Sequence, residues 1–73
     1  METDQRKILG AQIRKLREER GMTQEQLAVS IGNGTKQYIS ALEKGSKNVT
    51  FDVICRVAEA LDADIDIVLR PRG

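Results

Sequence analysis

The chain has 73 residues, with 12 Lys/Arg against 11 Asp/Glu, one cysteine and no histidine. That length fits one domain, and a core this small supplies roughly 3–5 kcal/mol unaided, so support from a second copy is expected. A lone cysteine excludes an internal disulfide, the lack of histidine leaves neither a metal site nor a Cys–His nucleophile, and no apolar run nears the roughly 20 residues needed to span a membrane.

In chain order, Thr3 or Asp4 caps a first helix that runs to about Arg20. Leu9, Ile13 and Leu16 follow the helical period with Ile8 beside them, and Gly21 is a fitting stop. Arg6, Lys7, Arg14, Lys15, Glu18 and Glu19 on the other face mix both signs and read as solvated surface with weak ion pairs. Arg17 and Arg20, just before the next turn, are the better functional candidates.

The stretch Thr23 to Gly45, TQEQLAVSIGNGTKQYISALEKG, reads as two short helices joined by a tight turn. Thr23 and Gln26 make a capping box, and Met22 with Leu27 a hydrophobic staple. Leu27, Ala28 and Ile31 give the first of these helices its apolar face, and Gly32-Asn33-Gly34 tolerates the backbone of a sharp turn. Thr35 caps the second helix, where Ile39 and Leu42 face inward, Lys36, Gln37, Ser40 and Ala41 face outward or obliquely, and Gly45 stops it. This is helix-turn-helix organisation.

After the polar loop Ser46-Lys47-Asn48, Val49 and Thr50 form another staple and cap, and Ile54, Val57, Ala58 and Leu61 repeat as a buried stripe. Cys55 within that helix reads as a small apolar residue. From Asp64 the period changes. Ile65, Ile67 and Leu69 alternate with Asp64, Asp66, Val68 and Arg70 until Pro71, the pattern of a half-buried strand. One strand has no partner, and unpaired backbone beside an apolar face is costly. The expectation is therefore an antiparallel ribbon formed with the same strand of a second chain, the alternative being a frayed tail. The division is residues 1–63 as a helix-turn-helix unit and 64–73 as a dimerisation strand and tail.

Charge divides along the same line. Residues 1–50 hold nine Lys/Arg against six Asp/Glu, and 51–73 hold three against five, so the first part is +3 and the last −2. The basic part carries the helix-turn-helix, as DNA binding requires. A recognition helix presents its N-terminal residues to base edges in the major groove. Gln suits adenine N6 and N7, and Lys suits guanine O6 or N7, so Gln37 and Lys36 are the first base-reading candidates. Ser40 reaches a base or a phosphate. Tyr38 lies against the sugar-phosphate backbone or completes the core. With no paired carboxylates in an evident cleft and no glycine-rich phosphate loop, an enzyme is not expected. The expected compartment is the cytoplasm of a bacterium or of a virus-infected one, since no secretory or transit segment opens the sequence.

The series IRKLREERGMTQEQLA, the turn, YISALEKG and a further helix together resemble the Cro/C1-type (Xre-like) helix-turn-helix family over residues 8–62. The resemblance implies a mainly α, four-helix, lambda-repressor-like domain that binds double-stranded DNA as a homodimer on a palindromic operator, as a repressor. It implies that Ala41 offers an apolar touch to a base and that Gln24 clamps a phosphate at a helix N-terminus. Thr23, Lys44, Ser46, Lys47 and Asn48 flank the groove in the family arrangement, with Thr35 and Tyr38 in the same phosphate-facing set; for Lys47 a purely solvated position is the alternative. Arg17 and Glu43 match a partly buried ion pair of related domains, the alternative being two surface charges. Between Ala28 and Ser40 the chain has one residue more than the usual pattern, which implies a longer turn at Asn33-Gly34. The tail, NVTFDVICRVAEALDADIDIVL, is similar to HipB-type antitoxins, which dimerise through a C-terminal strand. That likeness implies dimerisation through Ile65, Ile67 and Leu69 and a toxin partner such as a HipA-like kinase. A protein-interaction module that inhibits a toxin and binds little DNA is the alternative. Neither reading involves a cofactor.

Overall fold

The computed structural model describes residues 4–32 and 34–73, so Thr3, the alternative first cap, and Asn33 of the turn lie outside the described residues. Four helices follow one another: α1 (Gln5–Glu19), α2 (Gln24–Ser30), α3 (Lys36–Lys44) and α4 (Phe51–Ala60). Each starts where a short polar side chain takes up a free amide of the first turn. Asp4 accepts from Arg6 N at 3.0 Å. Thr23 accepts from Gln26 N at 3.0 Å while Gln26 Oε1 accepts from Thr23 N at 2.8 Å, completing a capping box. Thr35 caps α3 through Tyr38 N and Thr50 caps α4 through Val53 N.

The helices bury one core of Ile13, Leu27, Ala28, Ile31, Ile39, Leu42, Val53, Val57 and Leu61, with Leu9, Leu16, Met22, Tyr38 and Val49 packed at its margin. In α4 the buried stripe is Val53, Val57 and Leu61, one turn apart. Ile54 and Ala58, expected inside, are half-buried, because Val53, Val57 and Leu61 take the inward face of the helix and leave the neighbouring positions at its margin. They instead line a groove of about 250 Å³ with Leu9, Leu16, Ile65 and Ile67.

Two glycines allow backbone to meet backbone. A Cβ on Gly10 would lie 2.5 Å from the Glu43 carbonyl oxygen and collide with that of Leu42, so only glycine lets α1 rest directly on the last turn of α3. Gly45 ends α3 at φ 74°, and a Cβ there would come within 2.8 Å of Lys7 Cα and N. At the end of α4 the left-handed position is held by Asp62 instead of glycine, at φ 52°. Asp62 N donates to the Glu59 carbonyl and Ala63 N to that of Ala58, closing the last turn.

From Ala63 onward the chain has no regular secondary structure, and among the described residues there is no β-strand. A ladder needs a second strand, which a single chain does not supply. Ile65 and Ile67 lie along the groove, while Val68 and Leu69 are 71% and 93% exposed. The described helices include none long and apolar enough to cross a membrane.

Candidate nucleic-acid interface

The site is built around one carboxylate. Glu43 projects from α3 into the junction of α1, α2 and α3, where its side chain is 5% exposed and that of Arg17 11%. Arg17 Nε donates to Glu43 Oε2 at 2.6 Å and Nη2 to Oε1 at 3.2 Å, a forked pair that fixes both groups in plane. Arg17 Nη1 also donates to the Met22 carbonyl at 2.8 Å. The hydrogen bond it donates to Glu43 holds the Arg17 guanidinium above its already high ordinary value, so it is charged at every accessible pH. Among the described residues no buried side-chain nitrogen or oxygen lacks a partner. This network pins α3 to α1 and to the turn before α2.

Glu43 Oε1 also accepts from Gln24 Nε2 at 3.0 Å. Gln24 is thereby fixed at the first turn of α2, with one amide hydrogen engaged and a second free for an acceptor outside. The structure brings Gln24, Lys36, Gln37, Ser40, Ala41, Lys44 and Ser46 around one open depression along α3. A neighbouring depression, lined by Arg17, Met22, Thr23, Gln24, Glu25 and Lys36, continues it past the start of α2. Lys36, Gln37 and Lys44 are exposed, and Ser40 and Ala41 form the half-buried floor. The surface thus offers long donors at its rim and small groups at its base, a shape that admits a groove edge.

The hydroxyls differ in what they can still give. Thr23 and Thr35 accept from backbone amides, so each keeps its own O–H for an outside acceptor. Ser46 Oγ donates to the Ala41 carbonyl at 3.2 Å, which commits its only proton to the end of α3. With the hydroxyl so placed its proton is engaged within the chain, and contact with a phosphate would need the hydroxyl to turn. Tyr38 packs against the core, and a Cβ on Gly34 would meet its ring edge at 3.0 Å, so the ring lies over the turn. Asn48 and Lys47 stand apart from the depression, on the exposed loop beyond Gly45.

Arg20, expected to be functional, has a structural task. Its Nε donates to the Leu61 carbonyl at 2.8 Å and Nη2 to that of Asp62 at 3.2 Å, so it caps α4 where the tail departs. Arg6, expected to be solvated, donates through Nη1 to Asn48 Oδ1 at 2.8 Å. No local sequence signal marks either contact, because the partners lie 41 and 42 residues away.

The sequence profile of a helix-turn-helix family matches residues 13–68. An uncharacterised HTH-type transcriptional regulator of Sinorhizobium fredii (strain NBRC 101917 / NGR234), y4dJ, is 40% identical over 58 residues, covering 80% of this chain and 74% of that protein. Among solved structures, the restriction-modification controller protein C.AhdI of Aeromonas hydrophila is 34% identical with a TM-score of 0.75, over 80% of this chain and 83% of its own. The clp gene regulator ClgR of C. glutamicum is 35% identical with a TM-score of 0.78, over 82% of this chain and 76% of its own. With its profile spanning most of the sequence and its four helices superposing on those of these regulators, the chain belongs to the helix-turn-helix family of Cro/C1 type.

Proposed function

We propose that this protein is a transcriptional regulator that binds double-stranded DNA sequence-specifically, as a homodimeric repressor on a palindromic operator in the bacterial cytoplasm. It is a binding protein and performs no catalysis. The observation that carries this reading is the depression in which Lys36 and Gln37, at the first turn of α3, stand beside Gln24, Ser40, Ala41 and Lys44. Lys36 and Gln37 supply the donors and acceptors that distinguish base pairs in a major groove, and Ala41 a methyl contact. Gln24, Thr23, Thr35, Lys44 and Lys47 hold the flanking phosphates and set the register.

Dimerisation uses the tail. Ile67 and Leu69 are 61% and 93% exposed, and pairing this segment with its copy across a two-fold axis covers them and satisfies their backbone groups. Two α3 helices then face half-sites about one turn, roughly 34 Å, apart. Removing residues 64–73 is expected to leave a monomer in sedimentation; an unchanged dimer would overturn this arrangement.

A second role, neutralising a toxin such as a HipA-like kinase, is favoured by the same exposed tail, where Val68 and Leu69 are open for a protein partner. A chain that acts only in this way would bind no duplex. Selection of bound duplexes from a random pool at near-physiological salt separates the readings. Enrichment of a palindrome, with enrichment lost in Gln37→Ala, supports the regulator; no enrichment supports the protein-binding module.

A further inference from the structure

Arg6 and Lys7 look like ordinary solvated charges on α1, yet the fold sets both against the far end of α3. Arg6 reaches Asn48 at 2.8 Å across 42 residues of sequence. The Lys7 backbone lies so close to Gly45 that any side chain at position 45 would collide with it. Gly45 is flanked in sequence by Lys44, Ser46 and Lys47, so the contacts of Arg6 with Asn48 and of Lys7 with Gly45 set the start of α1 against a segment that carries two further lysines, a basic shelf. Lys44 and Ser46 also line the reading depression, which makes shelf and depression one continuous surface.

The chemistry at Asn48 gives this shelf a direction. A guanidinium has donors only, so the Asn48 amide turns its oxygen to Arg6 and its Nδ2 hydrogens the opposite way, presenting donors outward. Among the described residues, Asp4 is the carboxylate that meets Arg6. Asp4 Oδ1 accepts from Arg6 N and stands 3.5 Å from Arg6 Nε, where it offsets part of the Arg6 charge. Lys7, Lys44 and Lys47 make no ion pair among the described residues, and all three are exposed.

We infer that Arg6, Lys7 and Asn48 form a phosphate-binding shelf that carries the DNA contact from the recognition helix to the start of α1. Each protomer thereby grips backbone beyond the bases it reads. This rests on the DNA-binding reading above and adds to it two cations that the sequence had left as surface, together with an orientation for the Asn48 amide.

The test is the salt dependence of binding to the selected duplex, measured on the full chain. Each phosphate neutralised contributes about 0.9 to the slope of log affinity against log salt. In the double variant Arg6→Gln/Lys7→Gln the slope is expected to become shallower by about 1–2 for each protomer bound. Discrimination against a single-base mismatch stays as in the wild type, because no base contact is touched. The charge-preserving pair Arg6→Lys/Lys7→Arg keeps the wild-type slope, which separates charge from folding. A double variant with the wild-type slope, in a protein whose binding still depends on Gln37, overturns the shelf and leaves the regulator reading intact. If the wild-type chain binds no duplex, both fall together.

Discussion

Glu43 is the residue on which most of the candidate site depends. It accepts from Arg17 and Gln24 while nearly excluded from water. Removing one partner of such a pair costs about 3–5 kcal/mol, because the other charge is left buried and unpaired. That equals the roughly 3–5 kcal/mol which a core of this size supplies. Glu43→Ala is therefore expected to lose its helical circular dichroism near room temperature, whereas Arg17→Met/Glu43→Leu, which leaves no orphan charge, refolds. A variant Glu43→Ala that melts like the wild type would show the pair to be ornamental. Asp4 gives a milder, pH-dependent effect. Desolvation pushes its carboxyl up, but the Arg6 amide, the Arg6 charge and side chain, and the Lys7 charge outweigh it and hold it below the ordinary value of 3.8. A carboxyl depressed in the folded state adds stability above its unfolded value and loses it as the pH falls through its folded one. The melting temperature should thus fall on acidification below about pH 4, and Asp4→Asn, which keeps the cap but cannot titrate, should flatten that part of the profile.

Among the elements, α1 and α3 show how little room their crossing leaves. Alanine favours a helix interior over glycine by about 1 kcal/mol, yet Gly10→Ala would drive its methyl into the carbonyls of Leu42 and Glu43. Overpacking of this kind costs about 1–3 kcal/mol and outweighs the gain in propensity. The variant should melt several degrees lower, since each 1 kcal/mol shifts the midpoint by about 4–8 °C in a domain of this size. Arg20 ties the end of α1 to the end of α4. Losing its two bonds to backbone carbonyls in Arg20→Met should cost about 1.5–3 kcal/mol and speed hydrogen exchange at the Asp62 and Ala63 amides first. The caps of all four helices and the inward faces of α2 and α3 were legible in the sequence, because Thr23 with Gln26, Thr35, Thr50 and the spacing of Ile39 and Leu42 are local signals, whereas in α4 the buried stripe is Val53, Val57 and Leu61 and not the expected one through Ile54 and Ala58. The end of α4 was harder to read, since Asp62 stands where glycine is the usual mark. The tasks of Gly10, Arg20 and Arg6 were hidden because each depends on a partner some thirty to forty residues away, brought near only by folding. At the candidate site, the grouping of Lys36, Gln37, Ser40 and Ala41 follows from the turn of one helix, but the commitment of the Ser46 proton to Ala41 does not.

For the whole molecule, a net charge of +1 with the excess positive charge in residues 1–50 implies few phosphate contacts, so the salt slope of DNA binding should be moderate. A slope near −10 in a titration between 50 and 200 mM salt, as a heavily basic binder gives, would contradict that distribution of charge. The tail leaves α4 beside Arg20, so the proposed dimer contact and the proposed base-reading residues of α3 lie on separate segments of the chain. The direct contact of Gly10 with the last turn of α3 has a further consequence for how such a protein tolerates change. Where two main chains touch, there is no rotamer to readjust, and at this crossing the approach of α3 is set by bond lengths and peptide planes, with the Arg17–Glu43 pair holding it alongside. Trimming the interior, as in Ile39→Val or Val57→Ala, then alters how long the molecule survives heating without altering which sequence it prefers. Durability and specificity can drift independently over generations, with one hydrogen atom at position 10 keeping them separate.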